Sequence, residues 1–402
     1  MSYPVEKIGG GITAPGEIEA AGEHCGLKPG GDKDLALIYC RRPAAAAGMF
    51  TTNRFKSPPL LVSEKHLQNP VRAIVINSGV ANACTGQQGI DDALATAGAA
   101  ASELAVGREE VLVFSTGVIG VYLPMEKISR GIGSAAKNLS PRGGGSAAEA
   151  IMTTDTVPKE AAYRVRAGGS SFTIGGMAKG SGMICPDVAT MLAFITTDVQ
   201  VERGLLQKAL KAAVDRSFNV ISVDGDTSPN DAVILLSSGA SGLRVEENGP
   251  LWDIFVEALT MFCRELACMI VADGEGATKF IELNIKGAPD YDTGRALARA
   301  ILNSCLVKTA FFGEDANWGR IITALGYAGV YFDPARINVY LGDLQVTENG
   351  RGLVFDELKA KEILGQEKIN VTVELQIGHE DVTAWGCDLS YDYVTINSSY
   401  RG

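Results

Sequence analysis

Residues 179–198 constrain the folding of this chain more than any other stretch, because they join two environments that cannot share one face. A polar, glycine-rich run, Lys179-Gly180-Ser181-Gly182, is followed by an apolar run, Met191-Leu192-Ala193-Phe194-Ile195, which Thr196, Thr197 and Asp198 close. A short apolar run bounded by turn residues reads as a buried strand, so 190–197 is expected inside a sheet and the glycine run outside it. Thr190 stands at the junction. Taken alone it is a strand-starting threonine, a common role for a β-branched residue. If the Ala189–Thr190 bond were cut, however, Thr190 would carry a free α-amine beside its own hydroxyl. Such an amine titrates at about 7.7–8.0, close to what a base needs to activate a threonine nucleophile.

The rest of the composition is that of a globular chain with room for a large core. Its 402 residues are 46% hydrophobic and 21% charged, and the length suggests two to three domains. A net charge of −11 argues against nucleic acid or an anionic membrane as partner, since both reward basic surfaces. The N-terminal residues lack the basic-then-apolar pattern of a signal peptide, and no apolar run reaches about 18 residues, so a cytoplasmic location is expected. The eight cysteines are scattered without a C-x-x-C pair, which suits reduced, packed thiols better than a disulfide framework or a zinc site.

Strands alternate with Ala-rich helices in the first half. Residues 72–78 and 111–115 read as buried strands, 91–105 as the helix between them, 142–146 (RGGGS) as a flexible loop, and 171–174 as a further strand. After Thr190, 202–218 is amphipathic, 220–223 and 232–236 read as strands, and 251–271 as a long helix. From 279 to 286 apolar and polar residues alternate, as in a strand with one wet face. Helices over 293–310 and 318–325 and strands over 336–341 and 369–376 follow. The change of pattern sets an expected boundary near 278, with 1–278 as the core unit and 279–402 as a smaller α/β unit.

Several polar groups stand where chemistry could use them. Ser115-Thr116-Gly117 ends a buried strand; by itself this is a strand-to-loop turn, and functionally Thr116 and the Gly117 amide could donate to a developing oxyanion. Thr153, Lys179 and Glu275 would each alone be a solvated residue or a cap. Together they are what an amino-acid substrate requires: a cation for a carboxylate, an anion for an ammonium, and a hydroxyl for orientation. Asp224, Asp226 and Asp231 lack EF-hand spacing and read as caps and turn-makers, so no metal site is expected. The stretch 273–279 is not a P-loop, because G-x-x-x-x-G-K-[ST] is absent.

The run A-T-M-L-A-F-I-T-T-D from Ala189, preceded by K-G-S-G-M-I, closely resembles the autocleavage region of the ornithine acetyltransferases, the bifunctional glutamate N-acetyltransferases of arginine biosynthesis. Cys185, Asp187 and Val188 replace the Ala, Asn and Met usual there. Further resemblance lies in 77–86, with Val80 for a usual Asn, and in 115–120, 222–228, 273–279, 313–320 and the terminal 393–402. The resemblance implies an αββα sandwich, of the α+β class, with an active site like that of the N-terminal-nucleophile hydrolases and a smaller C-terminal α/β domain. It implies a cut between Ala189 and Thr190, with Thr190 as nucleophile and Thr116 and Gly117 as the oxyanion hole. Thr153, Lys179, Thr190, Glu275, Asn397 and the terminal residue, here Gly402 in place of a usual Thr or Ser, would bind substrate. The implied reaction is ping-pong transfer of an acetyl group from N-acetylornithine to glutamate without a metal or bound cofactor. Whether acetyl-CoA also serves as donor is left open. The implied assembly is an associated α and β chain, as α2β2 or larger. Two other classes remain: an autoprocessed aminopeptidase or amidase of related fold, and a non-catalytic binding protein that kept the fold.

Overall fold

A computed structural model describes residues 4–185 and 191–399. Its architecture follows from period-two burial along a few strands. In Val71–Val80 and Val111–Val118, Ile74, Ile76, Leu112 and Phe114 face one core, whereas Ala73, Val75, Val111 and Val113 face another. In Leu192–Thr197, Leu192 and Phe194 join the first of those cores, while Ala193 and Ile195 face a third. Every face of both sheets is therefore apolar, and each must be covered. Helices Gly86–Leu104 and Met125–Lys137 cover the outer face of one sheet, and Arg203–Asp215 and Trp252–Ala272 cover the outer face of the other. The result is a four-layer αββα sandwich.

One sixteen-residue strand, Leu35–Phe50, belongs to both inner layers. Its first half pairs antiparallel with Ile18–Glu23 and Val71–Val80, and its second half pairs with Ala232–Ser237. The register slips between Tyr39 and Ala44, at the exposed Arg41-Arg42-Pro43, and the strand turns there from one layer to the other. In the second layer the order is Lys159–Ala167, Ser170–Lys179, Leu192–Thr197, Ala232–Ser237, then Leu35–Phe50. Two strands that follow position 190 thus lie between strands that precede it.

The C-terminal region builds a separate sheet around Phe280–Ala288, flanked by Lys368–Glu374 in parallel and Glu380–Cys387 antiparallel. Ile281, Leu283 and Ile285 share one apolar cluster with the helix Trp252–Ala272, so the interior continues across residue 278. The two-residue strand Ile221–Ser222 pairs with Trp385–Gly386, a second tie across that position.

Most of the expected elements are present, several with shifted ends. Two expectations fail. Residues 142–146 are not a flexible loop, because the helix Gly144–Ala150 begins within them. The glycines serve close approach instead: a Cβ on Gly143 would lie 1.8 Å from the Ala20 carbonyl oxygen, and one on Gly22 would lie 1.9 Å from that of Ser146. The single helix expected over 293–310 is two, Tyr291–Leu302 and Cys305–Phe312. Ser304 caps the second, its hydroxyl accepting from the Val307 amide at 3.3 Å. Among the described residues no cysteine is in a disulfide. Among the described residues no helix is long and apolar enough to cross a membrane.

Candidate active site

Strand ends from both inner layers meet at one edge of the sandwich. Thr116 and Gly117 close Val111–Val118, in register with Ser78 and Gly79 of the neighbouring strand. Gly117 has φ +125°, and a Cβ there would sit 2.3 Å from the Gly79 carbonyl carbon, so only glycine fits. Lys179 closes Ser170–Lys179 and pairs in register with Leu192. Asn230 joins the two layers: its side-chain amide donates to the carbonyls of Ala81 at 2.7 Å and Ser115 at 2.8 Å.

These ends open onto a cavity of about 250 Å³ lined by Thr116, Gly117, Thr153, Lys179, Glu275 and Asn397, among others. Six residues expected to act together from sequence are thus brought together, from segments up to 281 positions apart. Lys179 is 4% exposed. Its ammonium donates to Thr153 Oγ1 at 2.8 Å and lies 3.5 Å from Thr116 Oγ1. Burial lowers its pKa below the usual 10.5, while the Asp155 carboxylate works against that fall. Asn397, on the helix Tyr391–Ser399, donates to Glu275 Oε2 at 2.7 Å. The cavity therefore offers a cation, a carboxylate and hydroxyls within a volume suited to an amino acid. Ala81, Ile119 and Met183 add apolar wall.

Ala189, Thr190 and Gly402 lie outside the described residues. The residue next to Thr190 is described: the Met191 amide donates to Asp231 Oδ1 at 3.0 Å. Burial raises the Asp231 pKa well above the usual carboxylate range, and its Oδ2 has no hydrogen-bond partner among the described residues. Thr190 is two residues from Leu192, the register partner of Lys179, and two residues span at most about 7 Å. The Asp224 carboxylate accepts from the amides of Met183, Ile184 and Asp226 and from the Tyr393 hydroxyl, a turn-making role. Among the described residues no group of three or more His, Cys, Asp or Glu could hold a metal ion.

The sequence reading missed Asn230, Ser228, Thr154 and Gly182 at the cavity wall. Of these, Gly182 left a legible signal, since it belongs to the glycine run. A Cβ on Gly182 would lie 2.4 Å from the Glu275 carboxylate. Gly182→Ala is therefore expected to push that carboxylate aside and raise KM about tenfold, with a much smaller change in kcat, as steady-state kinetics would measure. Unchanged KM would mean that Glu275 does not hold substrate.

The ArgJ family is matched over residues 19–402. This chain belongs to the ArgJ family. The arginine biosynthesis bifunctional protein ArgJ of Symbiobacterium thermophilum is 51% identical over 401 residues, covering 99% of this chain and 100% of its own. The ArgJ of Thermotoga neapolitana is 50% identical over 399 residues, covering 97% of this chain and 100% of its own. Among solved structures, ArgJ from Bacillus halodurans is 43% identical with a TM-score of 0.51. It covers 52% of this chain and 100% of its own. Family members thus match along nearly the whole chain, and the cavity residues fall inside the matched span.

Proposed function

We propose that this chain cuts itself before Thr190 and then moves an acetyl group from N-acetylornithine to the amine of glutamate. In the precursor, Thr190 Oγ attacks the Ala189 carbonyl carbon and the acyl group shifts from nitrogen to oxygen. Water then hydrolyses the ester, leaving 1–189 with a new carboxylate and 190–402 with a new amine. The two pieces stay together as one enzyme, because strands after the cut lie between strands before it.

In transfer, the Thr190 amine takes the hydroxyl proton as Oγ attacks the acetyl carbonyl. Thr116 and the Gly117 amide stabilise the tetrahedral oxyanion. Collapse releases ornithine with the proton on its amine and leaves acetyl-threonine. The glutamate amine attacks that ester, and N-acetylglutamate departs as the threonine hydroxyl is restored. Lys179 holds a substrate carboxylate and Glu275 an ammonium, with Thr153 and Asn397 fixing orientation.

One observation carries the reading: Thr116, Gly117, Thr153, Lys179, Glu275 and Asn397 line a single cavity, whose Lys179 is in register with a residue two positions after Thr190. The B. halodurans chain adds support, because in full it covers about half of this one, the length that a cut at 189/190 would leave. The test is one preparation given N-acetylornithine plus glutamate and, separately, acetyl-CoA plus glutamate, with intact-mass analysis of the protein. N-acetylglutamate from the first mixture, two polypeptides and a 42-Da acetyl adduct (roughly, for C₂H₂O) on the 190–402 piece are expected. The second mixture reads whether acetyl-CoA is a donor. Free acetate in place of N-acetylglutamate would make the protein an amidase, and a single uncut polypeptide would overturn the mechanism.

A further inference from the structure

Behind the cavity lies a buried ion cluster that no step above employs. Lys159 is 1% exposed, and its ammonium reaches Asp155 Oδ1 at 2.7 Å and Asp273 Oδ2 at 2.6 Å. Asp155 has no exposed side-chain surface. Its Oδ1 also accepts the Gly180 amide at 2.7 Å, and its Oδ2 accepts the Thr153 amide at 2.9 Å. One carboxylate thus grips the residue after Lys179 and the residue whose hydroxyl accepts from Lys179. Asp273, the other partner of Lys159, accepts the Thr156 amide at 3.0 Å, and its carbonyl accepts from Ser181 Oγ at 2.6 Å. The Ser181 carbonyl in turn takes the Glu275 amide at 3.0 Å. Lys159 alone leaves these two carboxylates with one negative charge in excess, and Lys179 is the second cation that bears on Asp155.

We propose that Asp155, steadied by Lys159, is a positioning residue that aims Lys179 into the cavity and supplies its counter-charge. The inference rests on the reading of Lys179 as a substrate contact. Burial alone would raise the Asp155 carboxyl, yet Lys179 and Lys159 hold it down to about 2, so it stays ionised wherever the enzyme works. Lys179 also faces Asp231 at the start of Ala232–Ser237, Glu275 across the cavity, and Lys28 from the loop after Ile18–Glu23. Of these charges, Asp155 is the leading influence that keeps Lys179 protonated, and Lys159 opposes it.

Two substitutions should move Lys179 in opposite directions. Asp155→Asn removes an attractive charge, so the ammonium is lost at lower pH, and the alkaline limb of kcat/KM should shift down by about one unit or more. Lys159→Gln removes a repelling charge, and the same limb should shift up. Groups common to all three proteins cancel in this comparison. Calorimetric titration with ornithine across the same pH range reads the limb without turnover. A wild type that binds ornithine but transfers nothing would defeat the acetyltransferase reading while leaving this test intact. Uniformly weaker activity or binding with unmoved limbs would reduce Asp155 to a structural role and overturn the inference. Failure of both variants to fold would assign the pair to stability and overturn it as well.

Discussion

Thr190→Ala leaves a single full-length polypeptide and lowers acetyl transfer by more than about 10⁴-fold. Both losses have one cause, because alanine has no oxygen to attack either the Ala189 carbonyl or the acetyl carbonyl. Denaturing gels after long incubation read the first loss, and product formation reads the second. Thr190→Ser keeps an oxygen and an amine in place and is expected to cut and transfer at a reduced rate. A cut Thr190→Ala protein would move the nucleophile elsewhere. A fully active one would remove acetyl-threonine from the mechanism.

The second large effect falls on the proposed oxyanion hole. Thr116→Val preserves shape at a position that is 7% exposed and removes one hydroxyl donor. Loss of one such donor is commonly worth about 2.7–4 kcal/mol in the transition state, so kcat should fall about 10²–10³-fold with little change in KM. Self-cleavage should slow as well, since it passes through the same kind of tetrahedral oxyanion. Among the described residues the Thr116 hydroxyl accepts only a long hydrogen bond, from the Lys179 ammonium at 3.5 Å, so the fold loses little and the unfolding temperature should barely move. Thr116→Ser restores the donor and should recover most of the rate. If Thr116→Val works within threefold of wild type, the Gly117 amide carries the oxyanion without help from Thr116.

The parts of the site legible in sequence are those whose residue types announce their chemistry. Lys179 and Glu275 are charges beside glycine runs, and Thr116-Gly117 closes an apolar strand. The supporting residues carry no such signal. Asp155 and Lys159 are four apart, a spacing that usually marks a solvated pair. Only the fold buries them, by bringing in Asp273 from 114 positions beyond Lys159. Asn230 reads as a turn residue after Pro229, and its bonds to Ala81 and Ser115 depend on two layers meeting. The same limit governs the fold. Period-two burial marks the strands, but Arg41-Arg42-Pro43 looks like an interruption rather than the bend by which one strand serves two sheets. The helix break at Asn303-Ser304 was likewise hidden by apolar residues on both sides.

The interleaved strand order bears on when the proposed cut could occur. Leu192–Thr197 and Ala232–Ser237 are gripped on both sides by Ser170–Lys179 and Leu35–Phe50, through ladders antiparallel to each. A chain severed while still nascent would have to recruit its missing central strands from free solution, with sticky edges exposed to every other copy in the cell. A cut before Thr190, as proposed, is therefore expected only after collapse, when the bond is one the finished architecture no longer needs to stay intact.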